Sequence, residues 1–123
     1  MGQNIMGETI HFNNLSDAEA ERLALFIEEC GEAIQAACKV LRHGYQSFDP
    51  TVPRKDRITN RGALAKEMGD VRAAMIMLCQ HDIHKPMVHK YAEEKLKSVK
   101  KWLHHYEAPQ VYGTAETEVD ANG

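Results

Sequence analysis

Residues 17–43 read DAEAERLALFIEECGEAIQAACKVLRH. Wound at about 100° per residue, Leu23, Phe26, Ile27, Cys30, Ala33, Ile34, Ala37, Cys38 and Leu41 share one face, the stripe a helix buries against a core. Both ends carry stop signals. Ser16 with Glu19 three residues on fits the capping box that satisfies orphan backbone N–H groups. Gly44 suits the position after the last turn, and Lys39, Arg42 and His43 complement the negative end of the helix dipole. A helix from about Asp17 to about His43 follows.

Downstream, residues 44–59 contain Asp49, Pro50, Pro53 and Asp56 with the basic residues Arg54, Lys55 and Arg57. They read as a long loop, of the kind that is often functional or mobile. Thr59 or Asn60 caps a second helix from about Arg61 to about His81. Asp82–Lys85 is a connector. Pro86 favours the first turn of a third helix to about Tyr106, with Val88, Ala92, Val99, Trp102 and Tyr106 as its seam and Lys95 at the remaining seam position. The expected organisation is an arm over 1–15, one all-α domain over 16–107 and a mobile acidic tail over 108–123.

Composition limits the functions. The chain has 123 residues, 43% hydrophobic and 27% charged, with a formal net charge of −3, which gives no basic footprint for nucleic acid or anionic membrane. No apolar run approaches the roughly 20 residues of a membrane span, and the first residues lack a secretory pattern. Three cysteines without a CxxC read as reduced thiols of a cytoplasmic protein. Cys79, His81, His84 and His89 match no common zinc spacing.

The chemistry lies in the carboxylates. Leu25, Glu29, Glu32 and Ala36 form a second line along the first helix, with Glu28 beside it. On the second helix Leu64, Met68, Val71, Met75, Leu78 and Cys79 make the expected core face. Glu67 falls between Leu78 and Ala74 at its edge, and Asp70 follows one turn on. A carboxylate at a core edge is costly without a cation or hydrogen bonds. Packed antiparallel, the two helices would bring four carboxylates together, which calls for raised pKa values or a multivalent cation. Oxygen-only ligands favour Mg²⁺ or Mn²⁺, and Mg²⁺ so held completes its shell with water and phosphate. The constellation points to phosphate-ester chemistry.

Glu29-Cys30-Gly31-Glu32 followed by Glu67-Met68-Gly69-Asp70-Val71 resembles the ExxE…ExxD signature of the MazG-like nucleoside triphosphate pyrophosphohydrolases. The resemblance covers roughly residues 16–106. Its short form, long loop and Val99-Lys100-Lys101-Trp102-Leu103-His104-His105 ending are most similar to phage-encoded members, which would place it in a host cytoplasm. It implies a four-helix-type bundle of three main helices completed by oligomerisation, as a homodimer or homotetramer. It also implies Mg²⁺-dependent cleavage of a (deoxy)nucleoside triphosphate to monophosphate and pyrophosphate. Glu29, Glu32, Glu67 and Asp70 match the metal-binding carboxylates. Glu28, Glu29 and Glu32 are candidates to orient the attacking water. Lys95 and Arg42 are candidate phosphate contacts, and Phe12, Tyr45 and Phe48 candidate base-stacking residues.

Two departures stand out. The stretch from Ala33 to Lys66 is longer than is usual in the family, and no Asn accompanies Lys95 in the third helix. The competing readings are a non-catalytic helical oligomer that retains an acidic cluster, or an enzyme of dUTPase-like or diphosphatase specificity.

Overall fold

A computed structural model of the protein describes residues 2–3, 9–10, 12–105 and 107. The expected tail over 108–123 lies outside these residues. In the arm, β1 (Gly2–Gln3) and β2 (Thr9–Ile10) form a minimal antiparallel pair, with Gly2 opposite Ile10 and Gln3 opposite Thr9. The rest of the regular structure is helical: α1 (Asp17–His43), α2 (Asn60–His81) and α3 (Lys85–Ser98), with single 3₁₀ turns at Arg54–Asp56 and Val99–Lys101. Among the described residues no helix is long and apolar enough to cross a membrane. The chain divides into two compact units after Ile83, inside the span read from sequence as one domain.

The first unit is built on α1 and α2. Ser16 Oγ accepts the Glu19 N–H while Glu19 Oε1 accepts the Ser16 N–H, so the capping box is complete at 3.1 and 2.9 Å. Gly44 ends α1 at φ +85°, a left-handed conformation that costs glycine little, and its N–H bonds the Val40 carbonyl at 2.7 Å. Thr59 caps α2 through Gly62 N–H at 3.2 Å. That glycine lies close under Ile58: a Cβ on Gly62 would sit 2.8 Å from Ile58 Cγ1.

The loop between the helices is ordered by its own bonds, a more definite structure than its composition suggests. Asn60 N–H donates to Ser47 O at 2.8 Å and Arg61 N–H to Tyr45 O at 2.9 Å. Asn60 Nδ2 donates to Gly44 O at 3.1 Å. Arg57 donates to the carbonyls of Val52 and Pro50 at 3.0 and 3.1 Å and lies over the Phe48 ring, 4.9 Å from its centroid. Arg61 lies over Tyr45 at 4.3 Å. The loop folds back onto the start of α2, so α1 and α2 run antiparallel. At the other end Arg22, in the first turns of α1, reaches Asp82, the residue capping the end of α2, through Nε–Oδ2 at 2.7 Å and Nη2–Oδ1 at 2.9 Å.

The α1–α2 contact corrects the expected core. Ala36, Ala74 and Leu78 are the buried apolar residues among those described. Ala36 belongs to the second line of α1, with Leu25, Glu29 and Glu32, and that line meets α2. Ile27, Ile34 and Leu41, assigned from periodicity to the core stripe, are 68%, 64% and 86% exposed, and Met68 of α2 is 61% exposed. Leu23, Phe26, Cys30, Ala33, Ala37 and Cys38 of that stripe are half-buried, but the buried residue of α1 is Ala36, whose small side chain lets the two backbones approach.

In the second unit, α3 has Pro86 in its first turn, as expected, but ends at Ser98, short of the span to about Tyr106. Ser98 Oγ donates to the Lys95 carbonyl at 3.3 Å, a local side-chain bond that competes with helix propagation, and a 3₁₀ turn follows. Trp102, read as a seam residue, is exposed, and Tyr106 lies outside the described residues.

The Arg22–Asp82 pair yields a pH-signed expectation. Its hydrogen bonds, then its charge, hold the Asp82 carboxyl below the ordinary carboxylate value. A depressed value means that the stabilisation is present above the ordinary pKa and is lost as pH falls through the lowered one. Asp82→Asn should lower Tm at neutral pH, and the gap to the parent should close as the solution is acidified, measured by circular dichroism melts.

Candidate metal centre

Glu29 and Glu32 stand on consecutive turns of α1, and Glu67 stands opposite on α2 between Ala74 and Leu78. The same alanine-lined contact that joins the helices brings these three side chains together: one carboxylate oxygen from each lies within 4.8 Å of the other two. Glu29 and Glu67 are half-buried and Glu32 exposed, with the Glu67 side chain 18% exposed. Glu29 Oε2 and Glu67 Oε2 are shut off from water and have no hydrogen-bond partner among the described residues. Buried carboxylate oxygens without donors are rare and costly.

Like charges shape the protonation of the cluster. Glu32 is held above its ordinary value, chiefly by the charge of Glu29, then by Glu67, with desolvation, a hydrogen bond to Glu67 and the charge of Glu28 adding to it. A shared proton relieves repulsion in one way; a divalent cation among the oxygens relieves it in another. The donor set is all oxygen, which suits Mg²⁺ or Mn²⁺ and not a thiolate-seeking metal. The orphaned oxygens fit such an ion.

Asp70, the fourth expected ligand, is not in the cluster. Its carboxylate accepts from Lys66 Nζ at 2.8 Å, an i, i+4 pair, and the same ammonium lies 3.6 Å from Glu67 Oε1. Hydrogen bonding to Asp70, then the charges of Asp70 and Glu67, raise the pKa of Lys66.

Two clefts lie along the α1–α2 pair, and one of them borders Glu32 and Glu67. One, of about 420 Å³, lies toward the end of α1 and the start of α2, with Gln35, Lys39, Asn60 and Lys66 around Glu32 and Glu67. The other, of about 600 Å³, lies toward the opposite end and includes Glu28, Arg22, Leu25, Met77 and His81. Glu28 is exposed and opens onto this second cleft. Arg42 is exposed in the last turn of α1 and lines neither cleft. Lys39, one turn earlier, lines the first cleft together with Lys66. Sequence reading used Lys39 only as a dipole partner and passed over Lys66; their positions seven residues after Glu32 and immediately before Glu67 were the available signals. Lys95 belongs to the second unit and is exposed. Tyr45 and Phe48 are partly exposed and already carry Arg61 and Arg57 on their rings, and Phe12 is almost wholly exposed. No histidine–cysteine group suited to a metal occurs among the described residues.

No protein-family model, curated protein or solved structure matches the chain.

The repulsion sets two stability outcomes. Because the folded state holds Glu32 above its ordinary pKa, folding favours its protonated form, and that advantage is lost as pH rises through the raised value. Without divalent cations the parent should therefore melt higher as pH falls from neutrality toward the carboxylate range, and Glu32→Gln should flatten that rise. Glu67→Gln should raise the metal-free stability at neutral pH by about 1 kcal/mol and abolish the Tm increase that Mg²⁺ gives the parent. Calorimetric scans with chelator and with Mg²⁺ read both.

Proposed function

We propose that this chain is a Mg²⁺-dependent hydrolase that cleaves a (deoxy)nucleoside triphosphate to the monophosphate and pyrophosphate, as its resemblance to the MazG-like pyrophosphohydrolases implies. The observation that carries the reading is the pair of orphaned oxygens on Glu29 and Glu67 within a three-glutamate cluster. A structural salt-bridge network would have supplied these oxygens with donors; a cation site leaves them for the ion.

In this reading Glu29, Glu32 and Glu67 hold the ion. Asp70 joins them once its tie to Lys66 is released. An ion held by these residues would supply positive charge to the phosphates and a more acidic bound water. Glu32 is the most exposed of the three, which leaves it open to solvent and suits it to orient water. Glu28 faces the second cleft and acts on Glu32 through its charge. With water as the attacking group, no covalent nucleophile is required.

The exposed residues Ile27, Ile34 and Leu41 are spaced by seven along α1. They favour self-association through that face, as a homodimer or homotetramer, since heptad-spaced aliphatic residues are the seam of helix–helix packing. They are equally the observation that favours the second reading, a helical oligomer without catalysis. Pyrophosphate release separates the two.

With a panel of common and modified (deoxy)nucleoside triphosphates, turnover with release of pyrophosphate is expected in Mg²⁺ or Mn²⁺ and none in excess chelator. Glu67→Gln should lower kcat by roughly 100-fold or more. Failure of every substrate in Mg²⁺ would leave the non-catalytic oligomer as the better account. Ile34→Glu should shift the protein to monomer in light scattering; an unchanged mass would exclude the α1 stripe as the contact.

A further inference from the structure

The cleft of about 420 Å³ beside the carboxylates has an unusual mixture of charge. Glu32 and Glu67 stand on its inner side, while Lys39 and Lys66 stand around it with Gln35 and Asn60. The start of α2 also lies here, but its first donors are taken: Asn60 N–H by Ser47, Arg61 N–H by Tyr45, Gly62 N–H by Thr59 Oγ1 and Ala63 N–H by the Thr59 carbonyl. An anion entering this cleft must therefore be held by side chains, and the two ammonium groups are its cationic donors. Lys39 projects from α1 two turns beyond Glu32; among the described residues no hydrogen bond or salt bridge holds its ammonium group, which acts on Asp49 only through its charge. Lys66 is engaged. Its Nζ bridges Asp70 at 2.8 Å and Glu67 at 3.6 Å, although the side chain is 63% exposed and free to swing.

A lysine in this position acts as the internal counter-cation of the acidic centre. Its ammonium offsets part of the charge of Glu67 and is paired with Asp70, which lies outside the cluster. A divalent ion held by Glu67 carries twice its charge and competes for the same oxygens, so ion and ammonium oppose each other at this carboxylate. Once displaced, the ammonium has the neighbouring cleft within reach of its flexible stem, and a phosphate oxygen there is a strong partner for it.

We propose that this cleft is a polyphosphate site with Lys39 and Lys66 as direct phosphate ligands, and that Lys66 becomes available to it only when a divalent cation displaces it from Glu67 and Asp70. The inference rests on the metal-centre reading above and extends it to the substrate's phosphate chain and to the order of binding. Cation binding both supplies positive charge at the carboxylates and releases a phosphate ligand, so the two ligands reinforce each other. By linkage, each should raise the affinity for the other by the same factor.

The test uses the full chain, inorganic pyrophosphate and Mn²⁺. Free Mn²⁺ is followed by electron paramagnetic resonance and pyrophosphate binding by titration calorimetry, with Mg²⁺ and with chelator. Methionine keeps the length and helix propensity of lysine, and both positions are exposed, so Lys39→Met and Lys66→Met should fold as the parent does; circular dichroism checks this. The parent should bind pyrophosphate more tightly with Mg²⁺ than with chelator. Each variant should lose roughly 10-fold or more of that Mg²⁺-dependent affinity. Lys66→Met should bind Mn²⁺ several-fold more tightly than the parent, while Lys39→Met should stay within about twofold.

Pyrophosphate affinity that neither substitution changes overturns the phosphate site. Loss with Lys39→Met alone, or weaker Mn²⁺ binding by Lys66→Met, overturns the displacement of Lys66. A parent that binds no Mn²⁺ overturns the metal-centre reading, and this inference with it. A parent that binds Mn²⁺ through Glu67, with pyrophosphate binding indifferent to both lysines, overturns this inference alone.

Discussion

Three carboxylates in a helix–helix contact are the constraint around which the first unit is organised. Glu29 and Glu32 of α1 meet Glu67 of α2 with oxygens within 4.8 Å of one another, beside a contact made through Ala36, Ala74 and Leu78. Apolar side chains at the glutamate positions would stabilise such a contact; ionised glutamates oppose it. The fold holds them there through attachments elsewhere along the helices. The cost shows in the buried Oε2 atoms of Glu29 and Glu67, which have no donor among the described residues, and like charge pushes the Glu32 carboxyl above its ordinary value. Stability given up at one place in a small domain is a common mark of a site built for a ligand.

Those attachments sit at the two ends of the helix pair. At one end the bidentate Arg22–Asp82 pair joins the start of α1 to the end of α2. At the other, the loop returns through Ser47 and Tyr45 to the first residues of α2, with Arg57 and Arg61 stacked on Phe48 and Tyr45. The length of the loop, out of proportion for a simple helix connection, is spent on this fastening. Arg57 of the loop and Arg61 of α2 hold the loop through carbonyls and aromatic rings, while the cations lining the cleft beside the carboxylates are Lys39 and Lys66.

The apolar residues of α1 are arranged in two lines, and the two are covered unequally. The line carrying Ala36 is covered by α2, whereas Ile27, Ile34 and Leu41 remain exposed. Large aliphatic groups are the stronger hydrophobic choice by area, so a wheel ranks them first for the core. Packing geometry reverses the ranking, because alanines permit the close approach that also brings the glutamates within reach of one another.

The helices, their caps and the candidate carboxylates were legible in the chain itself. Ser16 with Glu19, Gly44 and Thr59 specify helix ends through bonds made within a few residues, and such signals do not wait for tertiary structure. Glu67 was also legible, since period alone puts it between Ala74 and Leu78. The early end of α3 was not, because a seam of apolar residues continues past Ser98 while the helix does not. Nor were the choice of α1 face, the pairing of Asp70 with Lys66 and the place of Lys39, rather than Arg42, in the lining of the cleft beside Glu32. Each of these turns on which side chains occupy the same few ångströms once two helices meet. Local sequence determines where a helix begins, where it ends and which residues share a side; only the packed pair decides which side is inside and which charges must answer one another.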